Sequence, residues 1–247
     1  MSARRLELLR QRIEGCRACP RLVAWREEVA AKKRRAFLGD RYWGKPVGGF
    51  GDDSARLALV GLAPAAHGAN RTGRIFTGDR SGDFLFAALH RLGVANRAES
   101  VWRDDGLEVR GLWITAAVRC APPNNKPTPD ETARCAPFLH EELDLLPELR
   151  VIVALGAFAW TAVLRWIARR GSRASPVPAF GHGAVHRAAD GPVVFGSYHV
   201  SQQNTQTGRL TPAMFDRVLT AALQESGLSA PHVSRAHPRE STSKVRL

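Results

Sequence analysis

The chain has no long apolar run. Its longest nearly apolar stretch, Val151 to Leu164, covers 14 residues, is interrupted by Gly156 and Thr161 and runs into Arg165. A bilayer-spanning helix needs roughly 20 such residues, so no membrane span is expected. Met1 to Gly15 carries arginines with no apolar stretch behind them, so no secretory leader is expected either. Cysteine is scarce. Four in 247 residues do not make a secreted disulfide scaffold, and the expected class is a soluble cytoplasmic protein. No internal repeat of useful length is visible, which excludes solenoid architectures.

Acidic residues are also few. Against 23 Asp+Glu stand 36 Lys+Arg, a formal net charge of +13. Such an excess points first to a polyanion, nucleic acid ahead of a membrane surface, although charge alone also serves solubility. It is unevenly spread: residues 1–41 carry +7, residues 42–228 only +3, and residues 229–247 another +3. The last stretch mixes Ser, Pro, His and basic residues without apolar periodicity and reads as a disordered basic tail. The remaining 1–228, with 44% of the whole chain hydrophobic, suits a single α/β domain. A monomer is expected.

Four apolar runs read as buried strands: Arg56–Leu62, Leu112–Val118, Val151–Leu155 and Val193–Tyr198. Helical patterns cover Ala3–Glu14, Asp83–Leu92, Pro129–Leu145, Ala157–Arg169 and Pro212–Gln224, with Thr128-Pro129 as a start signal. Continuous apolar strands belong in a sheet covered on both faces. The β-loop-α order therefore predicts a three-layer α/β/α sandwich with a mostly parallel four-stranded central sheet. Ligands in such sheets bind beyond the carboxyl ends of the strands. Three polar or Gly-rich loops lie there: 61–82, 119–129 and 198–211.

The cysteines are grouped. Cys16 and Cys19 form a C-x2-C pair, and Cys120 and Cys135 a C-x14-C pair. Two intervening residues let both sulfurs of the first pair face one ion or cluster. Structural zinc and an iron–sulfur cluster fit this spacing equally, and four free thiols are the plain alternative. A redox pair is a weaker reading, since no strand precedes Cys16. Loop 61–79 lacks the Gly-Lys-Ser/Thr of a phosphate loop and any G-x-G-x-x-G.

These segments together resemble the uracil-DNA glycosylase superfamily, specifically its family 5, the type B members with an iron–sulfur cluster. The matching pieces are CRACPRLVAWREE at 16–28, GLAPAAHGANRTGRIFTGD at 61–79 and TAAVRCAPPNNKPTP at 115–129. VALG at 153–156, GHGA at 181–184 and SYHVSQQNTQTGRLT at 197–211 complete them, in family order from Cys16 to Gln224. The resemblance implies excision of uracil from DNA, leaving an abasic site, and a [4Fe-4S] cluster on Cys16, Cys19, Cys120 and Cys135. It also implies a wider base range, including hypoxanthine. Ala63 and Ala65 flank Pro64 where other families carry an acid or amide. Ala63 is then a wall of the base site, and the missing acid argues against the neighbouring family 4.

Roles follow from the chemistry this implies. A target base must be flipped out of the duplex. Phe76 is the candidate to stack on it, with core packing as the alternative. Asn125 offers a donor and an acceptor to the base edge, its neighbour Asn124 serving as the turn residue. His199, in the His199-Val200-Ser201 match, is the candidate donor to the uracil O2 as negative charge develops there. Asp79 either positions the attacking water or caps the helix starting near Ser81-Gly82. Gly73, Ser201, Gln203 and Arg209 are candidates for DNA contact. His67 and His182 match the family without a role that chemistry supplies. The competing class is a non-catalytic nucleic-acid-binding module with a structural four-cysteine metal site.

Overall fold

The computed structural model describes residues 2–172 and 176–228; the tail expected at 229–247 lies outside them. The chain opens with α1 (Ser2–Glu14), α2 (Pro20–Lys32), β1 (Phe50–Gly51), β2 (Leu57–Gly61), α3 (Ala69–Thr72) and α4 (Arg80–Arg91). It continues through β3 (Leu112–Ala116), α5 (Pro129–Asp144), β4 (Val151–Leu155) and α6 (Ala157–Arg169). β5 (Val185–Arg187), β6 (Val193–Ser197), α7 (Gln202–Gln206) and α8 (Pro212–Ser226) complete it.

The four expected strands form the parallel centre of the sheet, in the order β3-β2-β4-β6. Every residue of β2, β3 and β4 is buried, as a sheet covered on both faces requires. Alternate residues divide between two cores. Leu57, Leu59, Ile114, Val151 and Val153 face α4 and α8, meeting Leu85, Phe86, Leu89, Phe215 and Leu219. Ala58, Val60, Trp113, Ile152 and Ala154 face α1, α5 and α6, meeting Leu9, Ile13, Leu139, Trp160 and Val163. The α/β/α sandwich is as expected. Among the described residues no helix is long and apolar enough to cross a membrane.

The strand count needs correction. The sheet has six strands, because β1 pairs antiparallel with β3 and β5 antiparallel with β6. These edge strands run two and three residues and are not buried, so no apolar run marks them. α2 was likewise not expected. Its buried face carries Arg26 beside Leu22, Val23 and Val29, and a charge on the inner face breaks the apolar period. At its end Lys32 pairs with Glu28, and just beyond it Lys33 Nζ donates to the Leu38 carbonyl at 3.1 Å.

Between α4 and β3 a polar knot fixes the chain. Buried Arg74 donates to Thr77 Oγ1 (3.0 Å), Ser100 Oγ (2.7 Å), Asp105 Oδ2 (2.7 Å) and the Arg103 carbonyl (3.1 Å). Asp105 also accepts from the main-chain N–H groups of Val101, Trp102 and Leu107. Burial alone would raise the Asp105 carboxyl, but Arg74 and those N–H donors bring it down from 3.8 to about 2. A carboxylate depressed on folding adds stability above its unfolded pKa, and that stability is lost as pH falls through the folded pKa. Asp105→Asn should therefore cost about 2 kcal/mol at neutral pH. In urea unfolding series the gap from wild type should shrink below about pH 4 and close near pH 2.

Candidate active site

The site grows from the carboxyl ends of β2, β3 and β6. β2 ends at Gly61, and the chain returns over its own end so that Phe76 lies against that glycine. A Cβ on Gly61 would lie 2.6 Å from the Phe76 ring. Phe76 itself has φ 53°, a left-handed conformation that side-chain-bearing residues seldom adopt. Its carbonyl sits so close to α4 that a Cβ on Gly82 would meet it at 2.0 Å. The ring is held on one side by these contacts and on the other opens to a cleft of about 330 Å³.

Three residues on, Asp79 caps α4: Oδ1 accepts from Ser81 N at 2.9 Å and Gly82 N at 3.0 Å. The capping alternative is thus realised, yet Asp79 also lines the cleft. Its other oxygen, Oδ2, accepts no hydrogen bond among the described residues and lies over Gly68. Burial lifts the carboxyl above the ordinary range, while the Gly82 and Ser81 N–H groups hold it back. One carboxylate oxygen is spent on the fold and the second remains for a ligand.

The loop after β3 brings Asn124 and Asn125 to the opposite wall, both left-handed, at φ 54° and 55°. Their side-chain amides bond to nothing among the described residues. From the end of β6 comes His199, whose ring centroid stands 6.3 Å from that of Phe76. Asn204 Nδ2 donates to the His199 carbonyl at 2.8 Å, and Gly156, at the end of β4, allows its Cβ to approach. Burial pushes the imidazole down to about 4, so it is neutral at pH 7.

Ala63, Ala65, Ser201 and Gln203 line the same cleft, as do Ser81 and, not expected from the sequence, Leu62 and Ile75. Gly73 and Arg209 do not. Gly73 ends α3 in the left-handed region and packs beneath Trp43, and the Arg209 guanidinium lies 4.8 Å over the Tyr198 ring. His67 accepts or donates at Nδ1 to Tyr42 Oη, 3.0 Å away, outside the cleft.

The four cysteines come together elsewhere. Cys16 and Cys19, before α2, and Cys120 and Cys135 surround one small cavity with Arg26, Arg119 and Phe138. None is in a disulfide. Arg26, only 2% exposed, donates from Nη1 to Cys120 Sγ at 2.9 Å, and Arg119 N donates to Cys135 Sγ at 3.2 Å. Burial pushes the Cys135 thiol up to about 12.

A model of the uracil DNA glycosylase superfamily matches residues 49–223, which span the sheet and all three loops of the cleft. The chain belongs to that superfamily. The type-5 uracil-DNA glycosylase of Thermus thermophilus is 56% identical over 218 residues, covering 88% of this chain and 97% of that one. Its counterpart in Mycobacterium tuberculosis is 55% identical over 217 residues, covering 87% and 80%. A type-4 uracil-DNA glycosylase of Thermotoga maritima matches less, at 33% over 156 residues, 62% of this chain and 63% of that one. These place the chain with the type-5 members of the superfamily, as the motifs implied.

Within this superfamily member the seat of Asp79 is Gly68. A Cβ there would lie 1.9 Å from Asp79 Oδ2, so any side chain must dislodge the carboxylate or α3. Gly68→Ala should cost at least about 1 kcal/mol, the worth of a helix cap. In a double-mutant cycle of urea midpoints, Gly68→Ala added to Asp79→Ala should cost far less than it does alone.

Proposed function

We propose that the chain is a DNA-repair glycosylase that flips uracil out of DNA and hydrolyses its N-glycosidic bond, leaving an abasic site. The observation that carries this is the meeting of Phe76, Asp79, Asn125 and His199 around one cleft, in a chain of this family. The enzyme acts as a monomer. Extrusion of the base costs a few kcal/mol, and stacking on Phe76 offsets part of it. The Asn125 amide reads the base edge with its donor and acceptor.

Cleavage of the C1′–N1 bond leaves electrons on the base and positive charge on the sugar. His199, neutral at working pH, donates a hydrogen bond to the uracil O2 where negative charge collects. The Oδ2 side of Asp79 orients the water that attacks C1′ and faces the cationic sugar. Its raised pKa makes it a better base than a surface aspartate. Because Ala63 and Ala65 bring no acid or amide to the cleft, Asp79 is the group left for the water. The small side chains there leave room for bases larger than uracil, and hypoxanthine is proposed as a second substrate.

The cysteine cavity suits a [4Fe-4S] cluster held by Cys16, Cys19, Cys120 and Cys135. Arg26 supports an anionic occupant: it is a buried cation with an unpartnered Nε, and Glu27, the acid paired with it, is exposed and 3.9 Å away. When bound, the cluster supplies a structural cross-link between α2, α5 and the loop after β3.

Release of free base from a uracil-containing oligonucleotide is the deciding assay. Wild type should release uracil and hypoxanthine, and His199→Ala should be slower by about 10²–10³-fold, the usual loss on removing a donor to a developing anion. Binding without release would leave the non-catalytic binding module instead. The cofactor is tested on the same preparation, which should be coloured and contain iron; a colourless, zinc-loaded protein would refute the cluster.

A further inference from the structure

The GHGA segment at 181–184 lies between α6 and β5, outside the cleft, and the chemistry proposed above does not use it. The structure shows what holds it in place. Gly183 N donates to the Gly196 carbonyl and Gly196 N to the Ala184 carbonyl, both at 2.8 Å, so the turn is pinned to β6. A Cβ on Gly196 would lie 2.5 Å from the Gly181 carbonyl, and Gly183 is left-handed at φ 78°. The glycines press the turn onto the strand and present His182 to the residues that follow it.

There His182 Nδ1 accepts the main-chain N–H of Tyr198 at 3.2 Å. The His182 and Tyr198 rings stack at 5.0 Å and 31°. Tyr198 immediately precedes His199. Its amide lies past the last residue of β6, where no neighbouring strand remains to accept it. We propose that His182 is a positioning residue for His199: its Nδ1 anchors the main chain just before the catalytic imidazole, as Asn204 anchors the carbonyl just after it. The proposal rests on the role of His199 given above.

The charged and polar surroundings suit an acceptor. Nδ1 can accept only while unprotonated, so the ring must be neutral with its proton on Nε2. Burial and the Arg217 charge of α8 both favour the neutral ring, and the main chain at Met214 opposes them. Arg209 stands over the other partner of the stack, Tyr198, and the Ser197 hydroxyl is 3.5 Å from Nδ1. His182 thereby ties the start of loop 198–211 to the 181–184 turn.

The test uses the full-length holoenzyme with a uracil-containing duplex. Displacement of a catalytic group by about 1 Å costs on the order of 10²-fold, so His182→Ala should lower kcat by about 10-fold or more with KM within about twofold. Hydrogen exchange of the Tyr198 amide should accelerate in the same variant. His182→Asn places an oxygen where Nδ1 stood and should restore most of both. Unchanged exchange at Tyr198 in His182→Ala would overturn the anchor, as would an Asn variant as slow as the Ala variant. Faster exchange with undiminished excision would overturn the positioning role. If His199→Ala were then also undiminished, the fault would lie in the reading of His199, not in the anchor.

Discussion

Four parallel strands running in register must finish on one edge of the sheet, and the cleft depends on that constraint. β2, β3 and β6 deliver the loops carrying Phe76 and Asp79, Asn125, and His199 to the same edge, and β4 delivers Gly156 beneath His199. The strands are apolar along their whole length because helices cover both faces. Burial of that surface, at roughly 25 cal/mol per Å², fixes the edge. The polar groups of the cleft are confined to the loops at that edge.

Loops alone would be too loose for chemistry, and contact density replaces regular structure in holding them. Phe76 sits in a backbone conformation that costs on the order of 1–3 kcal/mol and persists only where its surroundings over-determine it. Here they do. Arg74 and Thr77 on either side of it are locked into the Ser100–Asp105 knot, and its ring and carbonyl both rest on positions without a side chain. Asp79 is fixed by the cap it provides, and His199 by main-chain anchors before and after it. Each group is therefore oriented before any ligand arrives, which is what electrostatic stabilisation of a developing charge requires.

The sequence revealed the centre of this structure and not its margins. The parallel strands were legible because short continuous Val/Ile/Leu runs bounded by Gly and Pro have few other uses. β1 and β5 were not, since a strand of two or three residues, none of them buried, has no pattern to show. α2 was hidden by Arg26, whose burial makes sense only beside the cysteines. Among site residues, Phe76, Asp79, Asn125, His199, Ala63, Ser201 and Gln203 meet at one cleft, while Gly73 and Arg209 support other contacts. For Asp79 the cap is what the structure shows, made by Oδ1 alone, and it leaves Oδ2 free of hydrogen bonds among the described residues. Gly68 and Gly156 were illegible for a general reason: the meaning of a missing Cβ lies in the atom that occupies its space, and that atom is distant in sequence.

The cysteine cavity and the cleft are joined by short connections. Cys120 begins the very loop that carries Asn125, and Arg119 before it is buried against Glu142 of α5 at 2.8 Å. On the other side Arg26 bonds Cys120 through its side chain, and its carbonyl accepts from Asn70 Nδ2 of α3 at 3.2 Å. α3 in turn begins just after Gly68, on which Asp79 rests. Both walls of the cleft thus meet at Arg26, one through Cys120 at the start of the 119–129 loop and one through Asn70 of α3. A basic N-terminal segment far from the sheet in sequence becomes part of the site's framework by this route. The larger part of the charge excess outside 42–228, the +7 of residues 1–41, therefore sits on a segment that packs through Arg26 against the loops of the cleft.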